Sequence, residues 1–545
     1  ALRINTTGTQ NTAVGRLALD KTVTTSYNTA VGWQALKENT GSENAAFGTS
    51  AMEDSSSGIR NAAFGAYALS NNTTASANTA FGYTALQTSQ TAANSTAVGH
   101  AAGKVATVTI TAFGYNAGTA NTTGYDNTFI GGESDDTFIG RYSGRDVTNG
   151  HSNTAVGHAS FQTATTAVTN TAIGKHAMRL TTSGADNVAV GHEALDDNTT
   201  GYSNVAVGGN ALLNATTGHN NTAVGRLSMG VGVVTGPYNT AIGRLSLQDI
   251  TSGTKNQMMG ASAGENITTS SNNVAIGTDA MFTQTTATGE NIAIGNEALR
   301  LNTSGSYNTA VGHKASYANT TGGYNVAIGH DSMLSNTTGI TNTALGNNAL
   351  RGNTTASENV GIGTNALYSN TTGTKNTAIG HNSLDANTTA SFNTAVGSDA
   401  LGANTTGADN TAVGKNALES NSEGTQNTAV GKNSLGTNIT TSYNTAVGWN
   451  ALNSNVTNEN CAVGTSAMED NTTGARSTGI GAYCMANNTT GTKQTAVGYT
   501  ALYTNTTGTL NTAVGYEALY ANTTGNNNLA VGYVAGLDIT TGSNN

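Results

Sequence analysis

Aromatic and cationic side chains recur at one point in this sequence, directly after the glycine of a repeated Asn-Thr-Ala-Val-Gly pentapeptide. Six of the nine histidines stand there, but no Cys or carboxylate cluster accompanies them, so we predict no metal site. Such groups on an exposed ridge could stack on sugars or grip a surface; the alternative is a solvated row that shields the glycine turn. The candidate ridge residues are Trp33, Tyr83, His100, His158, His192, His313, His330, His381, Trp449, Tyr499 and Tyr516.

Two glycine-rich segments have the form of catalytic or cofactor motifs, and we predict that neither acts as one. Gly260–Gly264 fits the nucleophile elbow, and Gly361–Ala366 fits the dinucleotide fingerprint. Both motifs need a strand that turns into a helix, whereas ordinary units of the repeat surround these segments. An enzyme acting on polysaccharide would need paired carboxylates on neighbouring units, and none are evident. We therefore predict no catalytic residues, no cofactor and no enzyme activity.

Acidic residues and cysteines give two weaker signals. Glu133, Asp135 and Asp136 lie in a shortened unit, where clustered carboxylates could bind Ca²⁺ or could simply be solvated. Cys461 and Cys484 stand where other units have small residues. We expect both to be small buried side chains rather than a disulfide or a metal pair.

The pentapeptide glycines are mostly 17 residues apart, as from Gly380 to Gly397 and Gly414. A short fixed period indicates stacked units, and the recurrent Gly and Thr argue against helices. We therefore predict an all-β fold, a parallel β-solenoid (β-roll) with one coil per unit, in a single continuous array over residues 1–545. Counting to Gly532 gives about 32 coils. At a strand spacing of about 4.8 Å they would extend roughly 150 Å.

The array has one clear irregularity and one long internal copy. Two pentapeptide glycines near residues 131–140 are only nine residues apart. Residues 1–129 correspond to residues 417–545 by block duplication, since Trp33 and Trp449 are 416 residues apart and irregular spacings recur in register. The chain begins and ends within units, so we expect a fragment of a longer protein.

Side chains alternate across a strand, so the pentapeptide predicts two faces. The large apolar fourth residue and the Leu or Met five positions later are expected to form the core. The predicted core residues are Val14, Val31, Leu36, Phe47 and Val447. The third residue is nearly always Ala, which suggests that another chain packs on the outer face; alternatively, Ala merely fits a crowded corner. The predicted inter-chain residues are Ala13, Ala30, Ala46, Ala446 and Ala513.

Asparagine opens each pentapeptide and also begins the recurrent Asn-Thr-Thr-Gly segment. We predict that the first asparagines stack, with their amides hydrogen-bonded from coil to coil, and that the second segment is a turn. Triplets such as those at Asn302, Asn336 and Asn370 also match the glycosylation sequon. Glycans on every coil would collide at a spacing of about 4.8 Å, so at most a few could be used.

Composition excludes some partners. Charged residues make up only 10% of the chain and the formal net charge is −10, without the basic stripe that nucleic-acid binding needs. No run of 18 apolar residues is present, so we predict no membrane insertion in this segment.

The pentapeptide, most clearly as Asn325-Val326-Ala327-Ile328-Gly329, resembles the head repeat of YadA-like trimeric autotransporter adhesins. It is also similar to repeat arrays of phage tail fibres, and the resemblance covers almost the whole chain. It implies a left-handed parallel β-roll, a homotrimer along its length and an adhesive or receptor-binding fibre on a cell surface or virion. The 17-residue unit departs from the shorter coil of the autotransporter head.

We therefore predict an extracellular structural fibre or adhesin whose partners are further copies of itself, with glycans or a cell surface as possible ligands. An ice-binding solenoid is one alternative, because regular Thr arrays can match ice. Against it, the second-position Thr is expected to share the core face. An inert matrix or surface-layer spacer is the other alternative.

Overall fold

The computed structural model describes residues 1–119, 127–130, 136–140, 142–284 and 289–545. These residues form short strands joined by turns, and they contain no helix. Accordingly, the described part of the chain holds no helix that is long and apolar enough to cross a membrane.

The described residues divide into two compact units. The first unit, Ala1–Ser271, contains sixteen strands, and the second unit, Asn272–Asn545, contains sixteen more. The strands of the first unit are β1 (Thr12–Val14), β2 (Thr29–Val31), β3 (Ala45–Phe47), β4 (Ala62–Phe64), β5 (Thr79–Phe81), β6 (Thr96–Val98), β7 (Ile110–Phe113), β8 (Asn127–Phe129), β9 (Thr137–Ile139), β10 (Thr154–Val156), β11 (Thr171–Ile173), β12 (Val188–Val190), β13 (Val205–Val207), β14 (Thr222–Val224), β15 (Thr240–Ile242) and β16 (Gln257–Met259).

The strands of the second unit are β17 (Val274–Ile276), β18 (Ile292–Ile294), β19 (Thr309–Val311), β20 (Val326–Ile328), β21 (Thr343–Leu345), β22 (Val360–Ile362), β23 (Thr377–Ile379), β24 (Thr394–Val396), β25 (Thr411–Val413), β26 (Thr428–Val430), β27 (Thr445–Val447), β28 (Cys461–Val463), β29 (Thr478–Ile480), β30 (Thr495–Val497), β31 (Thr512–Val514) and β32 (Leu529–Val531).

Successive strands within each unit pair in parallel and in register. In the second unit Thr411 of β25 lies opposite Thr428 of β26, and Val413 lies opposite Val430. The partners are 17 residues apart, so each repeat makes one full turn of the chain. The predicted parallel β-solenoid with one coil per repeat is therefore confirmed for each unit.

The two faces of each strand are the reverse of those predicted from the sequence. Ala30, Ala46, Ala446 and Ala513, predicted to face another chain, have no exposed surface and lie inside the coil, and Ala13 is half-buried in the first turn. The outward face instead carries four of the five residues predicted as core. Val14 is 58% exposed, and three others are partly exposed: Val31, Phe47 and Val447. Leu36 is fully buried as predicted.

The narrow interior of the coil explains this reversal. Gly361 occupies the Ala position of β22, and a Cβ built there would lie 3.3 Å from Cγ of Leu350 in the preceding turn and 3.2 Å from the carbonyl oxygen of Ala366. A methyl group fills that space, so a larger side chain would overpack it. The larger Val, Ile or Phe therefore occupies the outward face, where space is available.

Two columns of buried asparagine join neighbouring turns. Oδ1 of Asn393 accepts a hydrogen bond from the backbone N–H of Asn410 at 2.9 Å, and its Nδ2 donates to the carbonyl oxygen of Gly407 at 2.9 Å. In the second column, Nδ2 of Asn404 donates to Oδ1 of Asn387 at 3.1 Å and to the same Gly407 oxygen at 3.0 Å. The predicted ladder is present, and the Asn-Thr-Thr-Gly turn supplies a second ladder that the sequence analysis did not predict.

The pentapeptide glycines form a third column, in which backbone touches backbone. Gly414 has a φ of 134°, in a region that residues with a side chain rarely adopt. A Cβ there would lie 2.7 Å from the carbonyl carbon of Gly431 in the next turn. Both its own conformation and the closeness of its neighbour therefore require glycine.

The buried leucines also sit in a left-handed conformation. Leu418 has a φ of 51°, and its counterpart Leu401 has a φ of 52°, although both carry full side chains. That conformation costs a residue roughly 1–2 kcal/mol. Both side chains are completely buried, and burial of a leucine contributes about 1.5–3 kcal/mol, which offsets the strain.

We predict that Gly414→Ala destabilises the second unit by about 2 kcal/mol or more, because backbone strain and overpacking each cost about 1–3 kcal/mol. Gly402→Ala is the matched control, since its Cβ would meet nothing closer than 3.4 Å and its φ is not in the left-handed region. Thermal unfolding followed by circular dichroism should show a lower midpoint for Gly414→Ala alone. Equal midpoints would contradict the close packing of the glycine column.

Candidate functional site

The predicted ridge residues follow the glycine turn, and most of them are exposed. Because this position recurs once in every coil, the spacing between turns determines how the rings of neighbouring turns contact each other. The exposed fractions are 45% for Trp33, 50% for Tyr83, 47% for Trp449, 48% for Tyr499 and 43% for Tyr516. Five ridge histidines are also exposed: His100, His158, His192, His330 and His381.

Aromatic rings on the ridge of the first unit form a stack across four turns. Tyr67 meets Tyr83 edge to face at 5.9 Å between ring centroids. Tyr83 then stacks on His100 at 5.2 Å, and His100 stacks on Tyr115 at 4.9 Å.

The second unit repeats this arrangement. Tyr483 meets Tyr499 edge to face at 6.1 Å, and Tyr499, Tyr516 and Tyr533 follow as parallel rings 5.5 Å and 5.3 Å apart. The block duplication therefore preserves an edge-to-face contact followed by a parallel stack, once in each unit.

The stacks and the tryptophans present different surfaces. Parallel rings cover each other's faces, so Tyr516, between Tyr499 and Tyr533, presents its edge and phenol hydroxyl to solvent. Among the described residues neither Trp33 nor Trp449 packs on another aromatic ring. The tryptophans therefore have uncovered ring faces that can stack on a ligand. The stacked tyrosines instead offer their hydroxyl groups for hydrogen bonding.

A carboxylate keeps one of these phenols protonated. Glu517 accepts a hydrogen bond from the Tyr516 hydroxyl and repels the phenolate, and both effects raise the pKa of Tyr516 above its ordinary value. The raised pKa keeps the hydroxyl neutral and able to donate a hydrogen bond over a wider alkaline range.

Two ridge histidines on adjacent turns share one carboxylate, contrary to the expectation from sequence. His313 and His330 stack at 5.0 Å between ring centroids, and one nitrogen of each and an Asp331 oxygen lie within 4.8 Å of one another. The sequence signal was Asp331 directly after His330. A single acid next to one histidine is a weak signal in sequence, because its approach to the second histidine depends on the stacking of adjacent turns.

Of the acids named as a possible Ca²⁺ site, Glu133 and Asp135 lie outside the described residues. Asp136 is buried and replaces asparagine in the first column, where its carboxylate accepts the backbone N–H of Asn153. Calcium binding at this segment stays a prediction.

The cysteines differ in environment. Cys484 is buried as predicted, and burial raises the pKa of its thiol to about 12. Cys461 is only half-buried, because it stands on the outward face of β28. The two thiols are free, in agreement with the prediction of no disulfide.

The sequon asparagines Asn302, Asn336 and Asn370 are fully buried in the second asparagine column. Nδ2 of Asn370 donates to Oδ1 of Asn353 at 3.0 Å, so its amide is engaged within the fold. Glycosylation at these positions would break the column.

Comparison with models of known protein families finds none that matches, and no curated protein matches the chain. The class of protein therefore follows from its architecture: each unit is a parallel β-solenoid built from 17-residue repeats. The likeness to YadA-like head repeats and tail-fibre arrays rests on the repeat motif alone.

Proposed function

We propose that this chain is the repeat shaft of an extracellular fibre or adhesin, on a cell surface or virion. It associates with copies of itself through the outward strand faces and binds glycans through the ridge. It acts by binding and not by catalysis. The observation that carries the proposal is the outward strand face, which is apolar or uncharged along every turn.

The outward face suits contact with a second copy of the same chain. None of the strands among the described residues carries a charged residue, although the whole chain has a formal net charge of −10. The face is also continuous, because Phe47 stacks on Phe64 at 4.8 Å and Phe64 contacts Phe81 at 5.7 Å. Identical faces of this kind can meet without repulsion between like charges.

The area of the face is sufficient for stable association. A strand residue rises about 3.3 Å and strands lie about 4.8 Å apart, so sixteen three-residue strands cover roughly 760 Å². A standard stable interface buries about 800 Å² on each partner. One unit therefore supplies nearly a complete interface, and three copies around a common axis would give the trimer that the sequence resemblance implies.

The ridge supplies the ligand-binding element of the proposal. An exposed indole face contributes apolar contact, and phenol edges donate hydrogen bonds, which is the combination that sugar rings require. Trp33 and Trp449 stand at corresponding points of the duplicated block, so one chain would offer the same contact twice. Repetition of a weak contact raises the overall avidity.

We predict that the wild-type chain has a native mass of about three times 54.7 kDa in light scattering. The double variant Ile379→Lys with Val413→Lys should dissociate it, because assembly would desolvate charges at a cost of several kcal/mol each. Thr406→Lys is the control, since Thr406 is exposed on a different part of the turn. A wild-type monomer, or a double variant that still assembles, would contradict the proposed interface.

The thiols give a second readout of the same interface. Cys461 on the outward face should react slowly with a maleimide in the assembled protein and quickly in the double lysine variant. Cys484 should stay unreactive in both, because its burial and raised pKa persist in the folded single chain.

We predict that Trp33→Ala combined with Trp449→Ala weakens binding to the best glycan of an array about tenfold. Loss of two aromatic contacts removes about 1–3 kcal/mol in total. Tyr503→Ala is the control, because Tyr503 stacks on Tyr520 at 5.3 Å away from the ridge.

Equal loss in the double tryptophan variant and the control would contradict a ridge site. A wild-type chain that binds no glycan would favour an inert spacer. Thermal hysteresis without glycan binding would favour the ice-binding alternative, and that alternative gains support from the outward position of the second-position threonines such as Thr411.

A further inference from the structure

We infer that His313, His330 and Asp331 form a binding site for a borderline divalent cation, with Zn²⁺ as the best-fitting ion. This inference concerns the second unit alone and is independent of the proposed adhesive function. It rests on three features: the convergence of the ligand atoms, the lack of hydrogen-bond partners at two of them, and their chemical type.

The solenoid brings these residues together from two adjacent turns. His313 follows the glycine after β19, and His330 occupies the same place after β20, so their rings stack with an interplanar angle of 19°. Asp331 comes next, and its backbone N–H donates to the carbonyl oxygen of His313 at 3.0 Å. The backbone ladder therefore fixes the spacing of the three side chains.

The separations between the Asp331 carboxylate and the two histidine nitrogens fit a single ion. Oδ1 of Asp331 lies 3.5 Å from Nδ1 of His330 and 3.9 Å from Nδ1 of His313. A Zn–N and a Zn–O bond together span about 4.1 Å, so one ion can reach both atoms of each pair. Imidazole nitrogens bind a metal in the plane of the ring, and the two rings are nearly parallel, so tetrahedral coordination also requires rotation of one histidine ring. The exposed side chain of His330 has room for that rotation.

Two of these atoms have no hydrogen-bond partner, although both are buried. Nδ1 of His313 and Oδ1 of Asp331 are shielded from solvent and unpaired among the described residues. Their separation of 3.9 Å is too long for a direct hydrogen bond. An unsatisfied buried polar atom costs about 1–3 kcal/mol, and a cation bound to both atoms would remove that cost.

The donor set selects the kind of ion. Two imidazole nitrogens and one carboxylate oxygen suit Zn²⁺ and its neighbours in the transition series, whereas Ca²⁺ and Mg²⁺ prefer oxygen alone. Three protein ligands leave one tetrahedral position for water or an external ligand. The site is therefore open.

The guanidinium of Arg351 lies close to the proposed site, and its positive charge opposes the binding of a cation. Nε of Arg351 lies 3.7 Å from Oδ2 of Asp331, the carboxylate oxygen that does not face the histidines. Lys314 lines the same surface depression as His313, His330 and Asp331, but its Nζ pairs with Glu297 at 3.5 Å. Arg351 therefore competes with a bound ion for the negative charge of Asp331.

A related group in the first unit provides the internal control. His176 and His192 lie 3.7 Å and 3.6 Å from Glu193, so residue types and spacing are similar. There, however, Oε2 of Glu193 already accepts a hydrogen bond from Nδ2 of Asn210 at 2.9 Å. We expect this group to bind the ion weakly or not at all.

The test is isothermal titration of the whole chain with zinc chloride in a buffer that does not coordinate metals. We expect one saturable site per chain. His330→Ala and the isosteric Asp331→Asn should each weaken the affinity at least about tenfold, the loss that even an outer-shell partner can cause. His192→Ala should leave it unchanged, and Arg351→Gln should raise it, because the competing charge is gone.

Circular dichroism of each variant establishes that it is folded, and Asp331→Asn keeps the proposal testable if His330→Ala fails to fold. No saturable binding by the wild type would overturn the proposal. So would an equal loss in His192→Ala, because that result would indicate general adsorption of Zn²⁺ to surface histidines. A lower affinity in Arg351→Gln would contradict the assigned role of Asp331.

Discussion

The asparagine side-chain amide that bridges one turn to the next is the interaction on which this structure depends. Each turn has only a three-residue strand and a core of Ala and Leu, so apolar burial per turn is small. The amide of Asn393 satisfies the backbone N–H of Asn410, which would otherwise be buried without a partner, and it shares the Gly407 carbonyl oxygen with Asn404. Repeated in most turns, this contact determines how closely the turns approach, and the glycine column follows from that spacing.

The narrow interior has a functional consequence. A methyl group fills the third position of the pentapeptide in most turns, so the large apolar side chains face outward. Phe138 and Met258 fit inside at this position because Gly144 and Gly264 replace the buried leucine of their turns. A free-standing chain would then expose Val14 and its counterparts to water, which favours an assembly that covers them. The same turn spacing places the ridge residues about 5 Å apart, so the spacing that orders the outward face also creates the aromatic stacks.

The period of the sequence was sufficient to predict the solenoid, its register and the buried Leu36. The alternation of side chains along each strand was also predicted. The prediction of the inner face was wrong, because it placed the larger apolar residue of each strand inside and the alanine outside. In a core this thin, steric fit outweighs hydrophobicity, and sequence alone does not give the width of the interior. The ridge was located by its position in the repeat, whereas the convergence of His313 with Asp331 depends on stacking across turns that only coordinates reveal.

The most direct test of this account is the free energy of unfolding of Asn342→Ala, measured in urea beside Asn347→Ala. Asn342 accepts the backbone N–H of Asn359 at 3.0 Å and donates to the carbonyl oxygen of Ala356 at 2.9 Å, whereas Asn347 in the same turn is exposed. The account predicts a loss of about 2–4 kcal/mol for Asn342→Ala and almost none for Asn347→Ala. Equal stability of the two variants would contradict the claim that the amide bridges hold the turns together.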